Sequence, residues 1–183
     1  MHNYFKNFKG NVGFTLIELL VVIGILGILA AALVATIDPF EQLNKAQDAN
    51  TKNTVVEYVD ANIRYFTTHQ AMPWDDTALT GSCQTAPNPS GTGLQIASME
   101  DCTSDLIADH ELKASFSTAT NILKNIYVTS GVNNAVIVCF LPVSKSQMRD
   151  PLTTHTVTGG DVNNPSSACK GFGGGTDCYW CTQ

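Results

Sequence analysis

Glu18 is the only charged residue in an apolar run that extends from Gly13 to Ile37. As a helix rising about 1.5 Å per residue, the run would reach roughly 36 Å, enough to cross a hydrocarbon core of about 30 Å. A carboxylate costs about 2.5 to 3.5 kcal/mol at mid-membrane and less near an end, so Glu18 is a functional candidate by default. Its spacing suggests the chemistry. A cut after Gly13 would give Phe14 a free α-amine four residues before Glu18, close to one helical turn away. An amine and a carboxylate so placed can neutralise each other, within one helix or between staggered neighbours.

The segment Gly13-Phe14-Thr15-Leu16-Ile17-Glu18, with the apolar stretch behind it, resembles the N-terminus of the prepilin family, which comprises type IV pilins and the pseudopilins of type II secretion. The resemblance covers roughly the first quarter of the chain. It implies that a membrane-embedded aspartyl peptidase cuts between Gly13 and Phe14 and methylates the new Phe14 amine. It also implies that Glu18 helps set the register of subunits in a helical filament, and that a pilus assembly platform is a partner. Leu16, Ile17, Leu19, Leu20, Val22, Ile23, Leu26 and Leu29 would then form the filament core. Val12 departs from the pattern, since many members carry a basic residue there; Lys6 and Lys9 keep the leader positive, so processing is still expected.

Two plainer readings compete. In an ordinary secretory signal peptide, Lys6 and Lys9 would be the charged start, residues 14–29 the apolar stretch and Ala30-Ala31-Ala32 the cleavage site. That apolar stretch would be long and would contain an acid. An unprocessed membrane anchor is the other reading.

The charge pattern agrees with an anchored, exported chain. Lys6 and Lys9 precede the apolar run while Asp38 and Glu41 follow it, so the positive-inside rule puts the leader in the cytoplasm and the rest outside the cytoplasmic membrane. Removing the leader takes two of ten basic residues and none of sixteen acidic ones, leaving 8 against 16 and a net charge of −8. Such a surface offers no general attraction to nucleic acid, and none is expected as a partner.

Within the apolar run, Gly24, Gly27, Ala31 and Ala35 recur at spacings of three, four and four, which places small residues on one helical face. Small faces let helices approach closely, although glycine and alanine are common in membrane helices anyway. Gly24 and Gly27 each cost about 1 kcal/mol in helix propensity, so they are candidate points of local melting.

Elements that would position these residues follow. Pro39 should kink or restart the helix. An amphipathic stretch then spans residues 38–68, with Val55, Val59, Ile63 and Phe66 on one face beside Tyr58, and with Lys45, Asp48, Lys52 and Glu57 facing solvent or neighbouring subunits. Met72-Pro73-Trp74 ends it, and residues 84–93 read as a loop. A short helix is expected over residues 104–114, capped by Thr103 or Ser104. Residues 126–129 and 135–141 form a hairpin signal, and a third strand is expected around residues 153–158. The expected organisation is α+β: a leader over 1–13, a membrane-spanning or filament-core helix over 14–37, its amphipathic continuation over 38–68, and a head over 69–183. In that head the helix packs on a small antiparallel sheet, as the pilin resemblance also implies.

Cys83, Cys102, Cys139, Cys169, Cys178 and Cys181 all lie beyond the membrane run. An even number in an exported domain points to disulfides, and three bridges allow fifteen connectivities. Cys83 with Cys102, and Cys139 with one of the C-terminal three, are the pairings favoured. Zinc at Cys178-Tyr179-Trp180-Cys181 with Cys169, or a redox CxxC there, are rivals.

Catalytic chemistry is thinly represented. His69, His110 and His155 look isolated, and His110-Glu111 reads as a solvated helix face. A calcium site from Asp150, Asp161 or Asp177 is conceivable, but no EF-hand pattern supports it. Residues 171–176 lack the lysine and following helix of a phosphate loop and read as flexible. No enzyme activity, cofactor or metal is expected. The leading expectation is a type IV pilus subunit that polymerises with copies of itself, the role in adhesion or motility being open; the alternative is a type II secretion pseudopilin. The latter is weakened because Asp150-Pro151-Leu152-Thr153 is the nearest match to the Asp-Pro-Trp-Gly segment of major pseudopilins. A membrane-anchored extracellular enzyme or binding module is a third reading.

Overall fold

A computed structural model describes residues 13–36, 38–77, 83, 86–87, 93–131 and 135–183. The chain divides into two compact units, Met1–Pro39 and Phe40–Gln183. Among the described residues, the first unit is essentially one helix, α1 (Leu16–Thr36), in which every side chain described is exposed.

The second unit begins one residue into α2 (Pro39–His69), which starts on a proline, as suits a first helical position whose N–H has no intrahelical partner. It ends where Gln70 takes φ of 58°. Its buried face comprises Asp48, Thr51, Val55, Tyr58, Val59, Ala61, Asn62 and Tyr65. Two expectations are corrected here. Ile63 is 48% exposed, because it lies about 100° around the helix from Asn62, which points into the core. Asp48, expected in solvent, is buried because its carboxylate accepts hydrogen bonds from the backbone of Val143 and Ser144. The face is filled by tyrosines rather than by aliphatic residues alone; Tyr58 stacks on Phe116 at 5.9 Å.

A four-stranded antiparallel sheet supplies the other wall of the core, in the order β1 (Leu94–Gln95), β2 (Ile126–Ser130), β3 (Val136–Phe140), β4 (Trp180–Thr182). The β2–β3 hairpin runs in register from Ile126 opposite Phe140 to Ser130 opposite Val136. Ile126, Val128, Val138 and Phe140 are buried in one cluster with Val55, Tyr58 and Tyr65 of α2. Lys52 of α2 lies over the Trp180 ring at 4.4 Å, so its ammonium meets an aromatic face.

Other elements shift from their expected places. The short helix is α3 (Glu100–Ala108), not residues 104–114. Thr103 is interior to it and turns its hydroxyl onto the Met99 and Glu100 carbonyls instead of capping. His110, at φ of 63°, closes it, with the Glu111 and Leu112 amides returning to the Leu106 carbonyl. No third strand forms around residues 153–158. His155 makes single bridges to Asp161 and Tyr179, and the Thr156 amide reaching the Gly160 carbonyl bends the chain into a turn. Two very short helices, α4 (Thr120–Leu123) and α5 (Lys145–Met148), flank the sheet segments in sequence, and α6 (Pro165–Ala168) precedes the glycine-rich tail. That tail is packed where residues 171–176 read as flexible: a Cβ on Gly171 would lie 1.9 Å from the Met148 carbonyl oxygen, and one on Gly174 would lie 2.1 Å from that of Ala168. Most of the loop read over residues 84–93, and the leader up to residue 12, lie outside the described residues.

Candidate processing and assembly helix

Thr15 and Glu18 build the start of α1 together. The Glu18 carboxylate accepts from the Thr15 amide at 3.0 Å and from the Thr15 hydroxyl at 2.8 Å, while the Glu18 amide donates to the Thr15 hydroxyl oxygen at 3.3 Å. This is a reciprocal capping box, which satisfies donors that a helix start leaves without partners. The Thr15-x-x-Glu18 spacing carried that signal, and reading Glu18 only as a charge partner for an amine missed it. The geometry bears on that amine. Phe14 precedes Thr15 directly, so the carboxylate already sits at the end of the helix where cleavage would expose a positive charge.

Gly13 and Phe14 are exposed, Phe14 by 81%, which leaves the bond between them accessible. Leu16, Ile17, Leu19 and Leu20 are exposed too. A Cβ on Gly24 or Gly27 would meet nothing within 4 Å, so the small positions have no close neighbour. Among the described residues one helix, Leu16–Val34, is long and apolar enough to cross a membrane. An exposed apolar surface of this extent calls for lipid or for other protein to cover it. What α1 can do chemically is limited to one carboxylate and a row of hydrocarbon.

The other candidate groups are dispersed. The six cysteines form three disulfides, Cys83–Cys102, Cys139–Cys181 and Cys169–Cys178. Cys139 and Cys181 face each other across β3 and β4, whereas Cys169–Cys178 closes a local loop. The three aspartates weighed for calcium are engaged separately: Asp150 accepts from the Leu152 amide, Asp161 lies 3.1 Å from His155, and Asp177 pairs with Lys170 at 2.6 Å. Among the described residues no group of three or more His, Cys, Asp or Glu side chains is arranged to hold a metal. Two of the histidines that looked isolated meet acids, for the His69 ring also lies 3.1 Å from Asp109. Glu111 is taken by Arg64 at 2.7 Å, not by His110. Burial pushes the Tyr58 phenol well above its usual range, which marks it as core.

No curated protein and no solved structure matches this chain. One family model does match, over the stretch that contains Gly13, Phe14, the capping box and most of α1. Across residues 13–34 the chain carries the prokaryotic N-terminal methylation motif, the hallmark of type IV pilins and pseudopilins.

Proposed function

We propose that this chain is a structural subunit of a type IV pilus. A prepilin peptidase cuts it between Gly13 and Phe14 and methylates the Phe14 amine, and the mature protein polymerises with copies of itself through α1. The observation that carries the reading is the methylation motif lying on an exposed, apolar helix whose one carboxylate is at the end where the cut would fall. Before assembly the subunit spans the cytoplasmic membrane with its leader in the cytoplasm; afterwards it lies in an extracellular filament. In the filament Glu18 neutralises the Phe14 amine and so sets the stagger between neighbours, while Gly24 and Gly27 allow close approach and local melting of α1. The motif is common to pilins and pseudopilins, so the secretion pseudopilin is the second reading. Against it, Asp150-Pro151-Leu152-Thr153 is the nearest match to the Asp-Pro-Trp-Gly segment of major pseudopilins and lacks its tryptophan and glycine.

Mass spectrometry of the N-terminal peptide tests this, comparing filaments sheared from cells with the membrane fraction. N-methylated Phe14 abundant in sheared material is the expected result. The same peptide confined to membranes would favour the pseudopilin, and a start near Leu33 would overturn both. Glu18→Ala should be cleaved normally yet give few filaments, and a normal filament yield would sink the register role.

A further inference from the structure

Three distant parts of the head meet at α5. From α2, the buried Asp48 accepts from the amides of Val143 and Ser144 at 3.0 and 2.8 Å and from the Ser144 hydroxyl. Seven residues earlier, hence on the same face of α2, Glu41 accepts from the amides of Lys145 and Ser146, each at 3.2 Å. These four amides surround the start of α5, where a helix leaves its donors without internal partners. Two carboxylates of α2 therefore clasp one end of α5.

The opposite end of α5 is held by the C-terminal loop. Gly171 lies so close to the Met148 carbonyl that a side chain there would collide with it, and Arg149 donates to the Gly171 carbonyl oxygen at 3.1 Å. The Cys169–Cys178 disulfide closes this loop, inside which the Lys170 amide reaches the Thr176 carbonyl and the Thr176 amide reaches that of Ala168, both at 2.9 Å. The clasp matters because the first half of α2 buries few side chains, with Lys52 over Trp180 as a further contact. Between residues 40 and 54 only Asp48 and Thr51 are buried, whereas Val55, Tyr58, Val59 and Tyr65 anchor the second half.

We propose that the Cys169–Cys178 loop is a redox-set brace that holds α5 in place for Glu41 and Asp48, so that closing this disulfide locks the first half of α2 onto the head. Closure proceeds by exchange with a disulfide-bearing oxidant. The Cys169 and Cys178 thiols give up two protons and two electrons as their S–S bond forms, and the oxidant's disulfide is reduced to a dithiol. Until then the second half of α2 is folded on its apolar anchors while the first half is held loosely. This coupling holds whatever the assembled subunit does.

Hydrogen exchange of the full-length protein in detergent micelles, read by mass spectrometry, tests it. The Cys169→Ser/Cys178→Ser double variant should exchange about tenfold faster in peptides covering residues 142–148 and 41–52, with residues 55–66 unchanged. Cys83→Ser/Cys102→Ser, which opens a different bridge, should leave residues 142–148 at the wild-type rate. Gly171→Ala keeps the disulfide but crowds Met148 and should reproduce the acceleration, whereas Gly175→Ala, whose Cβ would meet nothing within 4 Å, should not. Wild-type protection in the Cys169/Cys178 variant, or equal loss on opening Cys83–Cys102, overturns the proposal. Should the cysteine variants fail to fold, the glycine pair decides alone: equal exchange in Gly171→Ala and Gly175→Ala rejects it.

Discussion

The two long helices, α1 and α2, follow one another in sequence yet solve opposite problems. Apolar side chains of α1 are exposed along its whole length, and its single carboxylate folds back on its own first turn. In α2 a polar sequence buries one face, and a carboxylate on that face binds backbone nearly a hundred residues away. The exposed apolar side chains of the first helix call for lipid or other protein, while the second helix buries one face within its own unit. Hydrophobic side chains thus mark α1 by their number and α2 by their phase.

The sharpest break in the comparison should come from neighbouring positions on α2. Tyr65→Ala removes a fully buried ring and its hydroxyl bond to Asp76, and should destabilise the head by about 3 to 5 kcal/mol. Ile63→Ala, two residues away and half exposed, should cost well under about 1.5 kcal/mol. Chemical denaturation followed by tryptophan fluorescence would read both. Equal losses would mean that the burial phase described for α2 is wrong.

On α1 the cost should move from the fold to the membrane. Leu26→Asp puts a second acid into the run and should weaken insertion by about 2.5 to 3.5 kcal/mol, while the head keeps its unfolding midpoint. Fractionation of cells together with thermal unfolding of the solubilised protein would separate the two effects. A lowered head midpoint would show that the effect of the substitution is not confined to membrane insertion.

The smallest effect concerns pH. Burial raises the Tyr58 phenol above its ordinary value of 10.0, so the folded state keeps the proton where the unfolded state loses it. The stability that this supplies is complete below pH 10 and is lost as pH rises beyond it, at about 1.4 kcal/mol per pH unit. Tyr58→Phe should flatten that part of the denaturation profile between pH 10 and 11. An unchanged slope would assign the alkaline loss to other tyrosines.

The hairpin was legible because β-branched runs flank a turn-forming segment, and the start and end of α2 were legible from proline signals. The third strand was misread because residues 153–158 have strand-forming side chains, but the Thr156–Gly160 turn bends them out of line. The α3 boundary was misread because Thr103 resembles a cap until its hydroxyl is seen bonding backward. The Gly171–Thr176 tail looked loose because glycine permits flexibility and close packing alike, and only the position of Met148 distinguishes them.

By itself the sequence determined the methylation motif and the apolar span, and it encoded the Thr15–Glu18 box even though Glu18 was read only as a charge partner, since each depends on residues close together in the chain. Tertiary structure decided which face of α2 is buried, which of the fifteen cysteine pairings forms, and that Asp48 belongs to the interior. Those outcomes depend on strand register and on partners 95 and 96 residues distant for Asp48, and no local pattern encodes which distant backbone will arrive beside a carboxylate.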